Sequence, residues 1–212
     1  RRGNYGPETL TNPQGAVFEI RDEDGQYYGD NPEASVNLTY EPKDNHVANL
    51  NAKYRIYNFN GRDISRREAL TDQGQTLQTI FTNSRDSSNA EVSGDYEFPF
   101  FKGKLKLIGL HSAEHADSFG QFETFESGLS TSSNRFIRKI DETESIIRSE
   151  YSWTPKEGHS WTVGLEGALN GLGINSQFVA RNDSGAFIGD AAELSNVNEE
   201  RAEFTLTHSR SL

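Results

Sequence analysis

The chain has 212 residues, of which 33% are hydrophobic, with no cysteine and a formal net charge of −11. That acidity excludes a nucleic-acid surface, which needs clustered Lys and Arg, and the missing cysteines exclude disulfides and thiolate metal sites. At a mean hydropathy of −0.76 no stretch approaches the roughly 20 apolar residues of a spanning helix, whereas a transmembrane β-strand needs only about 10 residues, half of them apolar.

Turn signals at Gly6-Pro7, Asn12-Pro13 and Asp24-Gly25 surround a short strand over 16–20. Ala34, Val36, Leu38 and Tyr40 then alternate with Ser35, Asn37 and Thr39. After the turn 41–45 the chain returns through Ala48-Asn49-Leu50-Asn51-Ala52-Lys53-Tyr54-Arg55-Ile56, apolar at every even position. Strict period two means a strand with one face in an apolar medium and the other in a polar one. This predicts a first hairpin at about 34–59. Residues 60–88 lose the period and read as a long polar loop. The best helical segment, 64–77, has too few apolar residues for a core-facing stripe.

A second hairpin is predicted at about 90–113, turning at 99–103. A second polar stretch, 114–134, carries Phe119, Phe122 and Phe125. Strand pattern resumes over 135–140, and a third hairpin follows at about 144–170, with its turn at 154–159. Residues 171–200 are rich in Gly, Asn and Asp, and a last strand is expected at 201–209. The reading is a single all-β, antiparallel unit of seven or eight strands over 1–212. No fixed-period repeat points to a propeller or solenoid.

Polar strand positions carry Lys53, Arg55, Glu91, Asp95, Glu97, Arg148, Glu150, Arg201 and Glu203. They fit either a hydrated barrel interior or the wet face of a two-layer β-sandwich. Two features favour the barrel. Short turns alternate with long stretches, as in outer-membrane barrels. Aromatics also gather beside the short turns: Tyr40, Phe98, Phe100, Phe101, Tyr151, Trp153 and Trp161. Tyr40, Phe98, Tyr151, Trp153 and Trp161 are the expected membrane girdle.

His111-Ser112-Ala113-Glu114-His115 matches the string H-x-x-E-H. Zinc chemistry would need both histidines on one helical face, and here the string leaves a strand for a loop, so no metal site is expected. Asp22-Glu23-Asp24-Gly25 opens like a calcium loop but lacks the later ligands and reads as an acidic turn. There is no phosphate loop, nucleophile elbow or cofactor signature, so neither an enzyme nor a cofactor is expected. Arg66, Arg67, Phe119, Phe122 and Phe125 are the loop candidates for ligand contact.

The segments 103–110 (GKLKLIGL), 148–153 (RSEYSW) and 161–170 (WTVGLEGALN), with the opening 1–6 (RRGNYG) and the closing 205–210 (TLTHSR), resemble barrel strands of TonB-dependent outer-membrane receptors. The resemblance runs through essentially the whole chain. It implies a location in the bacterial outer membrane and a barrel of about 22 strands, of which this chain would supply about a third as an internal section. The barrel would be plugged by an N-terminal domain absent from this chain. Such receptors bind and import a scarce nutrient such as a metal chelate, vitamin or oligosaccharide. The implied partners are outer-membrane lipid, the small-molecule ligand, and the inner-membrane TonB complex, reached through the plug. The absence of Met, and of an apolar segment after Arg1, reads as a mature or internal piece of a longer product. The rival is a soluble, secreted β-sandwich serving binding or adhesion, with loop aromatics suited to carbohydrate.

Overall fold

The computed structural model describes residues 5–69, 76–182 and 185–210. Among them there is no helix. The strands are β1 (Tyr5–Thr11), β2 (Val17–Asp30), β3 (Glu33–Lys43), β4 (His46–Ala69), β5 (Thr76–Phe100), β6 (Gly103–Glu126), β7 (Leu129–Lys156), β8 (His159–Arg181) and β9 (Phe187–Arg210). All join one antiparallel sheet.

Strands β2 and β3 both pair with β4, and in one register: Asp30 lies opposite Asn58 and Glu33 opposite Arg55. Residues 31 and 32 fill the interval without a slip. The two strands are therefore one long strand, interrupted at Asn31-Pro32 because Pro32 has no N–H to donate. The Pro32 carbonyl still accepts a hydrogen bond from Ile56 N at 3.0 Å. With β2 and β3 joined, the sheet is an up-and-down meander whose strands touch only their chain neighbours. β1 and β9 do not meet, so the described strands form an open sheet and not a closed barrel.

The three hairpins form where the alternation predicts them, but the long loops do not exist as expected. Residues 60–88 continue as β4 and β5, with 70–75 outside the described residues. Residues 114–134 are β6 and β7 joined by Ser127-Gly128, and 171–200 are mostly β8 and β9. The segment 64–77 is strand up to Ala69 and again from Thr76. Period two is visible only where the two faces differ in polarity. In these outer halves apolar residues divide between both faces, and strand form is held by ladder pairing with the neighbour.

The turns are tight. Ser127 (φ 49) and Gly128 (φ 83) both adopt the left-handed region, as a two-residue hairpin loop of the type that matches strand twist requires. Asn45 (φ 60) and Gly158 (φ 76) serve the first and third hairpins. At the second, Phe101 takes φ 50, unusual for a bulky side chain. The only buried apolar side chains among the described residues are Ile64, Ala116 and Ala168. Among the described residues no second sheet covers either face, so the two-layer sandwich has no second layer there.

Candidate functional site

Residues directly opposite in the ladder share a face, so each face can be traced across the sheet. Leu38, Leu50, Gly94, Gly109, Ile147, Gly167 and Ala202 form one row. Toward the short turns the next row is Tyr40, Ala48, Tyr96, Leu107, Ser149, Leu165 and Phe204. This Leu50 face is apolar over the turn-proximal half of the sheet, and it is open: Ile147 is 75% exposed, Tyr40 67% and Phe204 66%. In water that is an unusually large apolar patch.

An unbroken chain of ring contacts crosses the same face beside the short turns. It runs from His46 to Tyr96 (5.8 Å between centroids), Phe98 (5.1 Å), Phe100 (6.3 Å), Tyr151 (6.1 Å), Trp153 (5.3 Å), Trp161 (6.3 Å) and His208 (4.4 Å). Four of the five expected girdle residues belong to it. Tyr40 lies on the same face one strand further on, opposite Ala48. His46, Tyr96 and His208 are members that the sequence reading missed. His46 Nδ1 lies 2.6 Å from the Tyr96 hydroxyl, which fixes that end of the row.

The opposite, Lys53 face carries a lattice of ion pairs over the same rows. Arg201 donates to Glu166 at 2.8 Å, and Arg148 stands 3.6 Å from the same carboxylate. Arg148 also meets Glu150 (2.5 Å) and Arg201 meets Glu203 (3.3 Å). Lys104 pairs with Glu97 (2.8 Å) and Lys106 with Asp95 (3.3 Å).

In the outer half the aromatics divide between the two faces. Tyr27, Tyr57, Phe59, Phe81, Phe122, Phe136 and Phe178 lie on the Lys53 face, as their ladder partners fix. Tyr27 stacks on Phe59 and donates its hydroxyl to Asp63. That hydrogen bond, with some burial, pushes the Tyr27 phenol up to about 12. The Leu50 face there becomes mostly polar and carries His115, whose Nδ1 is 2.6 Å from Asp141 and whose Nε2 is 3.4 Å from Asp117. Those hydrogen bonds, Asp141 first, raise the His115 pKa above its ordinary value.

The five loop candidates are strand residues on both faces. Arg66 pairs with Asp22 (3.3 Å) on the Leu50 face, and Arg67 Nε donates to Ser65 Oγ (3.3 Å) on the other. Phe119 and Phe125 lie on the Leu50 face, and Phe122 lies opposite Phe81 on the Lys53 face. The structure does not gather them into one place. The H-x-x-E-H string is also strand rather than loop. It puts His111 and His115 on the face opposite to Glu114, so no shared ligand set forms. Residues 22–25 lie inside β2 and are not a turn; Asp22 pairs with Arg66, and Glu23 accepts from Ser65 at 2.6 Å.

The candidate site that the sheet does assemble sits on the Lys53 face at the Asn31-Pro32 interruption. A cavity of about 370 Å³ is lined there by Asn31, Arg55, Tyr57, Arg85, Ser87, Asn89 and Glu114. A second cavity of about 290 Å³ adjoins it through Asn31 and Tyr57 and continues to Tyr27 and Phe59. The register explains the grouping. Arg55 and Glu114 flank Asn89 in one row, Tyr57 faces Ser87 in the next, and Arg85 follows opposite Phe59. Arg85 Nη2 reaches Glu114 at 3.5 Å. The Arg55 side chain has no hydrogen bond or ion pair among the described residues, although Glu33 is its ladder partner. No family model and no curated protein matches the chain.

Proposed function

We propose that the chain is a section of the wall of a bacterial outer-membrane receptor of the TonB-dependent kind, which captures a small nutrient and passes it inward. The observation that carries this reading is the open apolar Leu50 face, bounded beside the short turns by a continuous aromatic row. Water is a poor medium for that face, and hydrocarbon is a good one. The dimensions agree. From Phe100 to Ala90 the strand runs about 34 Å, which at a tilt of about 40° spans about 26 Å, close to the apolar band of roughly 25 Å on such barrels.

In this reading the crossing segments are about 34–56, 90–113, 143–169 and 200–208. The aromatic row sits at the periplasmic boundary, where amphipathic rings are favoured. The charge lattice faces a hydrated interior. Both unpaired edges pair with further barrel strands, since an open edge is costly in lipid. Uptake would proceed by ligand binding and rearrangement of a plug outside this chain, driven by the inner-membrane TonB complex, with no bond made or broken.

The test is fluorescence quenching of Trp153 and Trp161 by lipids brominated at successive acyl positions. Quenching strongest for bromines near the headgroup is expected. Fluorescence indifferent to every brominated lipid would remove the membrane reading.

A further inference from the structure

We infer that the cavity between Arg55 and Arg85 binds the carboxylate of a hydroxylated organic acid, a sugar acid being the representative class. The chain is strongly acidic, and on the Lys53 face Lys104, Lys106, Arg148 and Arg201 are held by carboxylates at 2.5–3.6 Å. Arg55, like Lys53 and Arg138, has no side-chain partner among the described residues, and Arg85 makes one contact, to Glu114 at 3.5 Å. On the strand that Arg55 faces, Asn89 and Arg85 are about 14 Å apart at the backbone. Two long guanidinium side chains thus close on the cavity from opposite ends, over a floor of Ser87.

A guanidinium presents a planar fork that fits a carboxylate through two parallel hydrogen bonds. That sets the charge of the ligand. Its body is set by the rest of the lining. Glu114 repels a second negative group and accepts from hydroxyls. Asn31 and Asn89 offer amides that both donate and accept, and Tyr57 offers a ring plane for a carbon skeleton. A volume of about 370 Å³ lies within the usual range for small-molecule sites. Asn31 lines this cavity at the point where Pro32 interrupts the ladder. The inference concerns the face turned away from the proposed lipid contact and does not depend on it.

Isothermal titration of the full chain with D-glucuronate tests the inference, with D-glucose and inorganic sulfate as comparison probes. Glucuronate should bind, more weakly as salt rises, and at least tenfold tighter than either comparison. Arg55→Gln should weaken glucuronate roughly tenfold to a hundredfold while the thermal midpoint stays put, because Arg55 holds no partner. Arg85→Gln should weaken it as well. Glucose binding as tightly as glucuronate would overturn the carboxylate assignment. Sulfate binding equally well would reduce the site to an adventitious ion only. Absence of glucuronate binding at millimolar concentration, or full affinity retained in both variants, would also overturn it. None of these outcomes bears on lipid quenching of the tryptophans, so the two proposals fail separately.

Discussion

Replacing Ile147 by lysine separates hydrocarbon from water as the medium on the Leu50 face. Ile147 is 75% exposed. Its row neighbours Gly109 and Gly167 are so open that an added Cβ would meet nothing within 4 Å. A lysine therefore fits without steric conflict, and any cost reports the medium. The depth follows from the strand. Six residues separate Ile147 from Trp153 in the aromatic row, about 20 Å along the strand and about 15 Å along the membrane normal at 40° tilt. That is half of a hydrocarbon core of about 30 Å. Lysine at the midplane of a barrel exterior costs about 2–4 kcal/mol, or about 30- to 700-fold in the folding equilibrium. In water the same exposed substitution would stay within about 0.5 kcal/mol. The assay is denaturant unfolding in phospholipid vesicles, read from Trp153 and Trp161 fluorescence, with midpoint and slope compared. Leu165→Lys, closer to the aromatic row, should cost less, and Tyr151→Lys about 0–1 kcal/mol. Ser112→Lys is the control on the other face, where Glu91 and Glu144 flank it in the ladder. If Ile147→Lys proved as harmless as Ser112→Lys, the reasoning from the apolar face would be wrong.

Three further outcomes are expected. A Cβ on Gly103 would stand 2.1 Å from the Ser152 carbonyl oxygen, whereas one on Gly109 meets nothing. Gly103→Ala should lower stability by about 1–3 kcal/mol and Gly109→Ala should leave it unchanged or raise it by up to about 1 kcal/mol, both measurable by the same unfolding assay. Glu166→Gln removes the charge that Arg148 and Arg201 share. It should cost about 1 kcal/mol after allowance for partial exposure, and the cost should shrink in high salt; a salt-independent loss would contradict an ionic role. His115 gains proton affinity on folding, so its stabilising contribution is complete below its ordinary pKa of 6.5 and fades as pH rises through the raised native value. A proton NMR titration should place the His115 midpoint above 6.5, and Asp141→Asn should bring it down.

What the sequence disclosed depended on contrast between the two sides of each strand. From Ala48 to Ile56 one side is greasy and the other charged, so strand, face and hairpin were all legible. Along β4 and β5, Tyr57, Phe59 and Phe81 pass to the other side while Ile64 and Ile80 stay behind, and the period dissolves although the strand does not. Strand length in those parts is imposed by the neighbour's ladder, which no local window contains. Asn45 and Gly158 advertised their turns, whereas Phe101 in a left-handed conformation could not be foreseen from its residue type. The aromatic row was partly visible because its tryptophans stand beside the turns. His46 and His208 were not, since a histidine by itself carries no sign of the ring it stacks on. The Arg55–Arg85 cavity was invisible for another reason. Its members are brought together only by cross-strand register and by the missing donor of Pro32.

Because the rings keep to one side of the sheet near the short turns and occupy both sides farther out, no single jacket suits the whole molecule. Near the short turns a cover on one face alone would suffice. Farther along, both faces carry rings, and a cover on one of them would leave the other bare.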